Sequence, residues 1–178
     1  DGRDVLVSFT YLQLNGHGQI FRREPWATQM RPMLDRFAAD PHCYVNNPQD
    51  LLADERWVRF AARHWAERVE ADAAAAAALR AHGTEVHEVR YEALHADVEA
   101  EREAMYRFLG LDPREAAPLS RGKDTAPGLA SEDPTAFRRK GEIGDWKRHF
   151  SPRVSEWFND EAGAALRRLG YGNERNEL

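Results

Sequence analysis

The run Arg138-Arg139-Lys140-Gly141-Glu142-Ile143-Gly144-Asp145-Trp146-Lys147 gathers the residue types that hold anions. Arginine offers a planar fork of N–H donors matched to phosphate oxygens, and lysine adds a compact charge. Gly141 has no side chain, so backbone N–H groups can come close to an anion there. Taken alone, such a cation run reads first as a solvated surface strip. Its placement argues for a site: it ends a long irregular stretch and sits beside Trp146 in a chain of net charge −5. Nothing else in the sequence offers comparable chemistry. No Gly-x-x-x-x-Gly-Lys occurs, and no Ser-His-Asp set or carboxylate pair can be defended from spacing. The single Cys43 rules out an internal disulfide and a cysteine-based metal site, and no metal is assigned.

Arg139-Lys140-Gly141-x-x-Gly144-Asp145-Trp146-Lys147 resembles the Arg-Lys-Gly-x-x-Gly-Asp-Trp-Lys signature of cytosolic-type sulfotransferases, with every specified position matched. Arg3-Asp4-Val5-Leu6-Val7-Ser8-Phe9 is similar to that family's Arg-Asn-Pro-Lys-Asp-Val-x-Val-Ser-Tyr segment, entered late. Arg90-Tyr91-Glu92-Ala93-Leu94, followed by Phe108-Leu109-Gly110-Leu111, resembles its Tyr-Glu-Asp-Leu strand end and the helix after it. The three matches fall in the family's order. The resemblance implies sulfuryl transfer from 3′-phosphoadenosine 5′-phosphosulfate (PAPS) to an acceptor hydroxyl or amine. It also implies that Ser8, Arg138, Arg139, Lys140 and Gly141 bind the 3′-phosphate, with Tyr91 near the adenine.

The departures shape the expectation. The family's first phosphate loop, its lysine beside the sulfuryl group and its histidine base would all lie upstream of these residues. The seven histidines, His17, His42, His64, His82, His87, His95 and His149, stand where the family has no base, so no catalytic residue is assigned. The resemblance thus implies an α/β, P-loop-like sulfotransferase fold with a parallel sheet, of which this chain covers a mostly helical C-terminal portion. Residues 1–171 are expected to be the C-terminal part of one sulfotransferase domain and 172–178 a polar tail. The expected partners are a small-molecule acceptor and either a complementary N-terminal segment or a second copy. The isolated chain is expected to be inactive, and a truncated, non-catalytic nucleotide- or partner-binding module is the alternative. Lys147, Ser151 and Glu156 fall at the spacing of a short homodimer motif of the family. Ser151-Pro152 replaces its Thr-Val, however, and reads more simply as a helix cap.

Several elements must position these residues. Residues 4–14 fit a strand by Val5, Val7, Phe9 and Tyr11, or a helix by Val5, Leu6, Phe9 and Leu12; the resemblance selects the helix. Pro32 divides the apolar repeat of 25–39 into a kinked helix or two pieces. Asn47-Pro48 reads as the start of a helical region reaching His82, with Trp57, Ala61, Trp65, Val69, Ala76 and Leu79 as its stripe. Glu85–Tyr91 alternates like a strand, Asp97 caps a helix whose Val98, Met105, Phe108 and Leu109 face one way, and Gly110 closes it. Residues 112–136 are rich in proline and glycine and read as a binding loop or lid. Ser151-Pro152 opens a last helix that buries Val154, Trp157, Phe158, Ala162, Leu166 and Leu169.

With 42% hydrophobic residues the chain can build a core. Its acidic balance disfavours a role in gripping nucleic acid. No run approaches the roughly 18 apolar residues of a membrane helix. A lone cysteine and a polar start suggest a cytoplasmic setting.

Overall fold

The computed structural model describes residues 1–114 and 132–172. The tail beyond 172 and most of the 112–136 loop lie outside the described residues. By its internal contacts the chain divides into two compact units, residues 1–70 with 125–178, and residues 71–124.

In the first unit, α1 (Gly2–Leu14) is capped by Asp1, whose carboxylate accepts from the Arg3 amide at 2.9 Å. Leu6, Val7, Tyr11 and Leu14 are buried, whereas Val5 is 46% exposed. A strand would have put Val5 on the face of Val7 and Tyr11, so helical spacing decides this element. At Gly2 a Cβ would meet the Trp65 ring at 2.6 Å, so only glycine lets α1 approach the next long helix there. That helix, α5 (Glu55–Ala81), buries Trp57, Val58, Ala61, Ala62 and Ala66 in its first half. Trp57 is the hub of the core. Its indole N–H donates to Thr10 Oγ1 at 2.9 Å, and the rings of Phe9, Phe21 and Trp26 lie 5.5, 4.6 and 5.5 Å away.

Between these helices run α2 (Trp26–Gln29), α3 (Arg31–Ala39) and α4 (Cys43–Asn46). Pro32 sits in the first turn of α3, so the repeat is split into two pieces as its position predicts. The start of α5 differs from the sequence reading. Asn47-Pro48 opens only a short 3₁₀ turn, Pro48–Asp50, and fully buried Leu51 and Leu52 follow before the helix begins. Asp54, not Asn47, caps α5, accepting from the Trp57 amide at 2.8 Å. The Asn47 amide instead donates to the Cys43 carbonyl.

α8 (Trp146–His149) and α9 (Pro152–Arg168) complete this unit. Ser151 Oγ accepts from the Val154 amide at 3.2 Å, and Val154, Trp157, Phe158, Ala162 and Leu166 are buried as expected, whereas Leu169 caps the helix end and is only partly buried. Arg59 pairs with Asp160 at 2.9 Å and Arg63 with Glu161 at 3.0 Å, tying α5 to α9 along their exposed rims.

The second unit contains the far half of α5, then α6 (Tyr91–Ala96) and α7 (Val98–Phe108). None of residues 71–114 is buried. Val98, Met105, Phe108 and Leu109, expected to pack inward, are all exposed. The expected strand over Glu85–Tyr91 is also absent. Residues 84–90 are irregular, and Tyr91 is the first residue of α6. Alternation can extend a segment, but a strand needs a neighbouring ladder for its N–H and C=O groups. Among the described residues there is no strand at all, so the parallel sheet implied by the resemblance is not found in them. Local signals did hold. Asp97 caps α7 through the Ala100 amide at 3.0 Å, and Gly83 and Gly110 take the positive φ that ends α5 and α7.

Candidate functional site

The cation run Arg138–Lys140 and the turn that follows it lie in the first unit, fastened to α1. Asp4 accepts from the backbone N–H groups of Gly144 and Trp146, each at 2.9 Å. Two turns further along, the Tyr11 ring lies 4.4 Å from the Arg139 guanidinium carbon. At the end of the helix Asn15 donates to the Ala136 carbonyl at 3.1 Å. Positions 4, 8, 11 and 15 share one helical face. Ser8 therefore belongs to the face that carries the 136–146 segment, and its side chain is exposed. Arg3 lies over Trp146, its guanidinium carbon 3.7 Å from the ring centroid. Gly141 and Gly144 have φ of 68° and 83°, a conformation that a side chain would strain, and so the turn presents backbone at both positions.

The four cradle residues are not equivalent. Arg138 is exposed, Lys140 half-buried and Gly141 exposed, but Arg139 is only 8% exposed. The Arg139 fork engages Glu132 and Asp145. Lys140 Nζ lies 2.9 Å from Asp145, 2.5 Å from Glu142 and 3.7 Å from Glu132. Arg148 reaches Glu132 at 3.4 Å and Asp145 at 3.5 Å. The sequence reading made Arg139 a ready phosphate ligand; here it is already held by two carboxylates. Its Nε is buried and makes no hydrogen bond among the described residues.

Asp145 is the centre of this network at 3% exposure. Burial alone would push its carboxyl up, but the neighbouring His149 and the bonds from Arg139 and Lys140 overcome that and hold it far below the usual carboxylate range. His149 Nδ1 lies 2.9 Å from the Pro48 carbonyl, to which it donates. Its Nε2 is 3.5 Å from Asp145, within ion-pair reach but not a hydrogen bond. Burial pulls the Lys140 ammonium down, and bonds to Glu142 and Asp145 more than reverse this, keeping it protonated. Burial likewise pushes the Tyr11 hydroxyl above its ordinary value, against the attraction of Arg139. Tyr11 remains a neutral phenol.

Tyr91 belongs to the second unit, where it is half-exposed with its ring centroid 4.5 Å from that of His95. The structure therefore brings Ser8 to the side of α1 that carries the cradle, and describes Tyr91 by itself. Sequence reasoning missed Asp4, Tyr11, Glu132 and His149. Asp4 and Asp145 stood inside quoted motifs, but only the fold reveals that one pins the turn and the other pins its cations. Nothing in the sequence singles out Glu132. A cavity of about 200 Å³ opens beside Trp146, lined by Arg3, Phe150, Asn159 and Arg167 among others, and no cradle residue lines it.

Among the described residues no cluster of His, Cys, Asp and Glu could hold a metal ion, and no helix is long and apolar enough to cross a membrane. A family model described as a sulfotransferase domain matches residues 1–170. Neither a curated protein nor a solved structure matches the chain.

Proposed function

The chain belongs to the sulfotransferase domain family, and from that premise we propose that its first unit holds the 3′-phosphate of PAPS for sulfuryl transfer to an acceptor hydroxyl or amine. Family membership supports a sulfotransferase-type activity in the coarse sense. The finer reading rests on one observation: Asp4 fastens the Gly141–Trp146 turn to the face of α1 that carries Ser8. One short helix thereby sets a hydroxyl, two cations and a glycine turn toward a common anion. PAPS, when bound, supplies the activated sulfuryl group.

The residues named here do not touch that group. Lys140 contributes a positive charge, Gly141 a backbone approach, and Ser8 a neutral donor to the phosphate. Arg139 backs them with a guanidinium whose orientation is fixed by Asp145. Binding the remote phosphate holds the reacting end of the nucleotide in register, so that binding energy becomes positioning. Charge-assisted bonds of this kind contribute about 1.5–3 kcal/mol each.

The test compares two nucleotides by titration calorimetry. 3′-Phosphoadenosine 5′-phosphate should bind at least about tenfold more tightly than adenosine 5′-phosphate, which lacks the 3′ group. Equal affinities would remove the 3′-phosphate assignment.

A further inference from the structure

We propose that Glu132 is an internal occupant of the anion cradle, competing with the 3′-phosphate for Arg139, Lys140 and Arg148 and so setting the affinity of the site. This rests on the reading above and adds to it a built-in competitor.

The charges around Asp145 are matched. The cations are Arg139, Lys140 and Arg148, and the carboxylates that pair with them are Glu132, Glu142 and Asp145. Within this set a dianionic phosphate gains no net positive charge until one carboxylate leaves; exposed Arg138 stands outside the balance.

The three carboxylates differ in how easily they can go. Asp145 is buried and lies within the turn itself, and the amide of the next residue is pinned by Asp4. Its departure would open the turn. Glu142 is half-exposed and pairs with Lys140 at 2.5 Å, so its release frees one cation at most. Glu132 reaches all three cations yet comes from outside the 139–145 turn. Its side chain can swing away while Asp145 keeps Arg139 oriented. What it vacates is the Nη1 arm of the guanidinium, whose N–H donors suit a phosphate oxygen as well as a carboxylate. The partly buried Glu132 is therefore positioned as a ligand mimic, keeping the cations satisfied until a stronger anion displaces it.

The experiment uses the full chain and titrates 3′-phosphoadenosine 5′-phosphate into the wild type, Glu132→Gln and Glu132→Asp. Glutamine keeps an acceptor for Arg139 but removes the charge. Aspartate keeps the charge but shortens its reach, which also protects the fold. Glu132→Gln should tighten binding by roughly tenfold or more and Glu132→Asp by a smaller factor, while adenosine 5′-phosphate binds all three alike. Binding that appears only in the variants carries the same meaning. If Glu132→Gln unfolds early in a thermal scan, Glu132→Asp decides alone. Unchanged or weaker binding in the variants, against a wild type that binds, overturns the competitor and leaves the proposed function standing. No binding by any of the three proteins overturns both.

Discussion

The two units of this chain bury side chains very differently. The first packs Trp57, Tyr11, Phe158, Leu51 and Leu52 out of solvent and sets a charged cluster into that packing. The second, over residues 71–114, buries nothing, and Leu109 is 65% exposed. One helix makes the point: α5 is studded with buried residues from Trp57 to Ala66, and beyond Ala71 the same helix has none. Long helical sequence alone therefore does not tell where a core is. The proposed site lies where packing can hold charges in place, since fixed geometry at an anion site needs neighbours that cannot move.

The largest effects should sharpen this contrast. All five tryptophans, Trp26, Trp57, Trp65, Trp146 and Trp157, lie in the first unit, so selectively excited tryptophan fluorescence reports on that unit. Trp57→Ala should cost about 3–5 kcal/mol in urea unfolding followed by fluorescence, whereas Leu109→Ala should stay within about 0.5 kcal/mol. Comparable losses would break the comparison.

Next in size is Asp145→Asn, expected to cost about 3 kcal/mol because it leaves buried Arg139 short of a charged partner. The pH dependence has a definite sign. The folded carboxyl of Asp145 is depressed, so the unfolded chain takes up the proton first. Its stabilisation is full above the unfolded carboxylate value of about 3.9 and drains away as pH falls from there toward the depressed folded value. Asp145→Asn should flatten that part of the acid unfolding profile. An identical acid profile in the variant would contradict the assignment. The exposed Asp112–Arg114 pair of the second unit also lowers a carboxyl, yet Asp112→Asn should change stability undetectably, because solvent screens it.

The smallest effects come from the caps. Ser151→Ala and Asp97→Ala each remove one cap bond, a loss of about 1 kcal/mol. Ser151→Ala should move the fluorescence transition, because α9 is part of the core. Asp97→Ala should appear only as helix fraying in far-UV circular dichroism, with fluorescence unmoved. A shift of the fluorescence transition by Asp97→Ala would mean the two units unfold as one.

Caps and helix stops were legible in the sequence, because they depend on neighbours a few residues away. Asp97, Ser151, Gly83 and Gly110 act as read. The stripe of α9 was legible for the same reason. Three readings failed where distant contacts decide. Asn47-Pro48 looks like a helix start, but Leu51 and Leu52 are drawn into the core first and Asp54 becomes the cap. Glu85–Tyr91 alternates like a strand and finds no ladder among the described residues. Val98, Met105, Phe108 and Leu109 form an apolar face that the described residues leave exposed. Motif spacing singled out Ser8, Arg139, Lys140 and Gly141 as candidates. It did not reveal that Arg139 is sequestered, since Glu132 lies outside the motif and Asp4 is far away along the chain.

The claim that the Ser8 face and the 139–141 turn share one phosphate is tested most directly by the double variant Ser8→Ala, Lys140→Gln. Neither residue belongs to the core, and Arg139 keeps its Glu132 and Asp145 partners. Calorimetry with 3′-phosphoadenosine 5′-phosphate should show a loss of at least about tenfold relative to the wild type, with adenosine 5′-phosphate binding unaltered and the unfolding midpoint little changed. Undiminished affinity for the 3′-phosphorylated nucleotide in that folded variant would contradict the account.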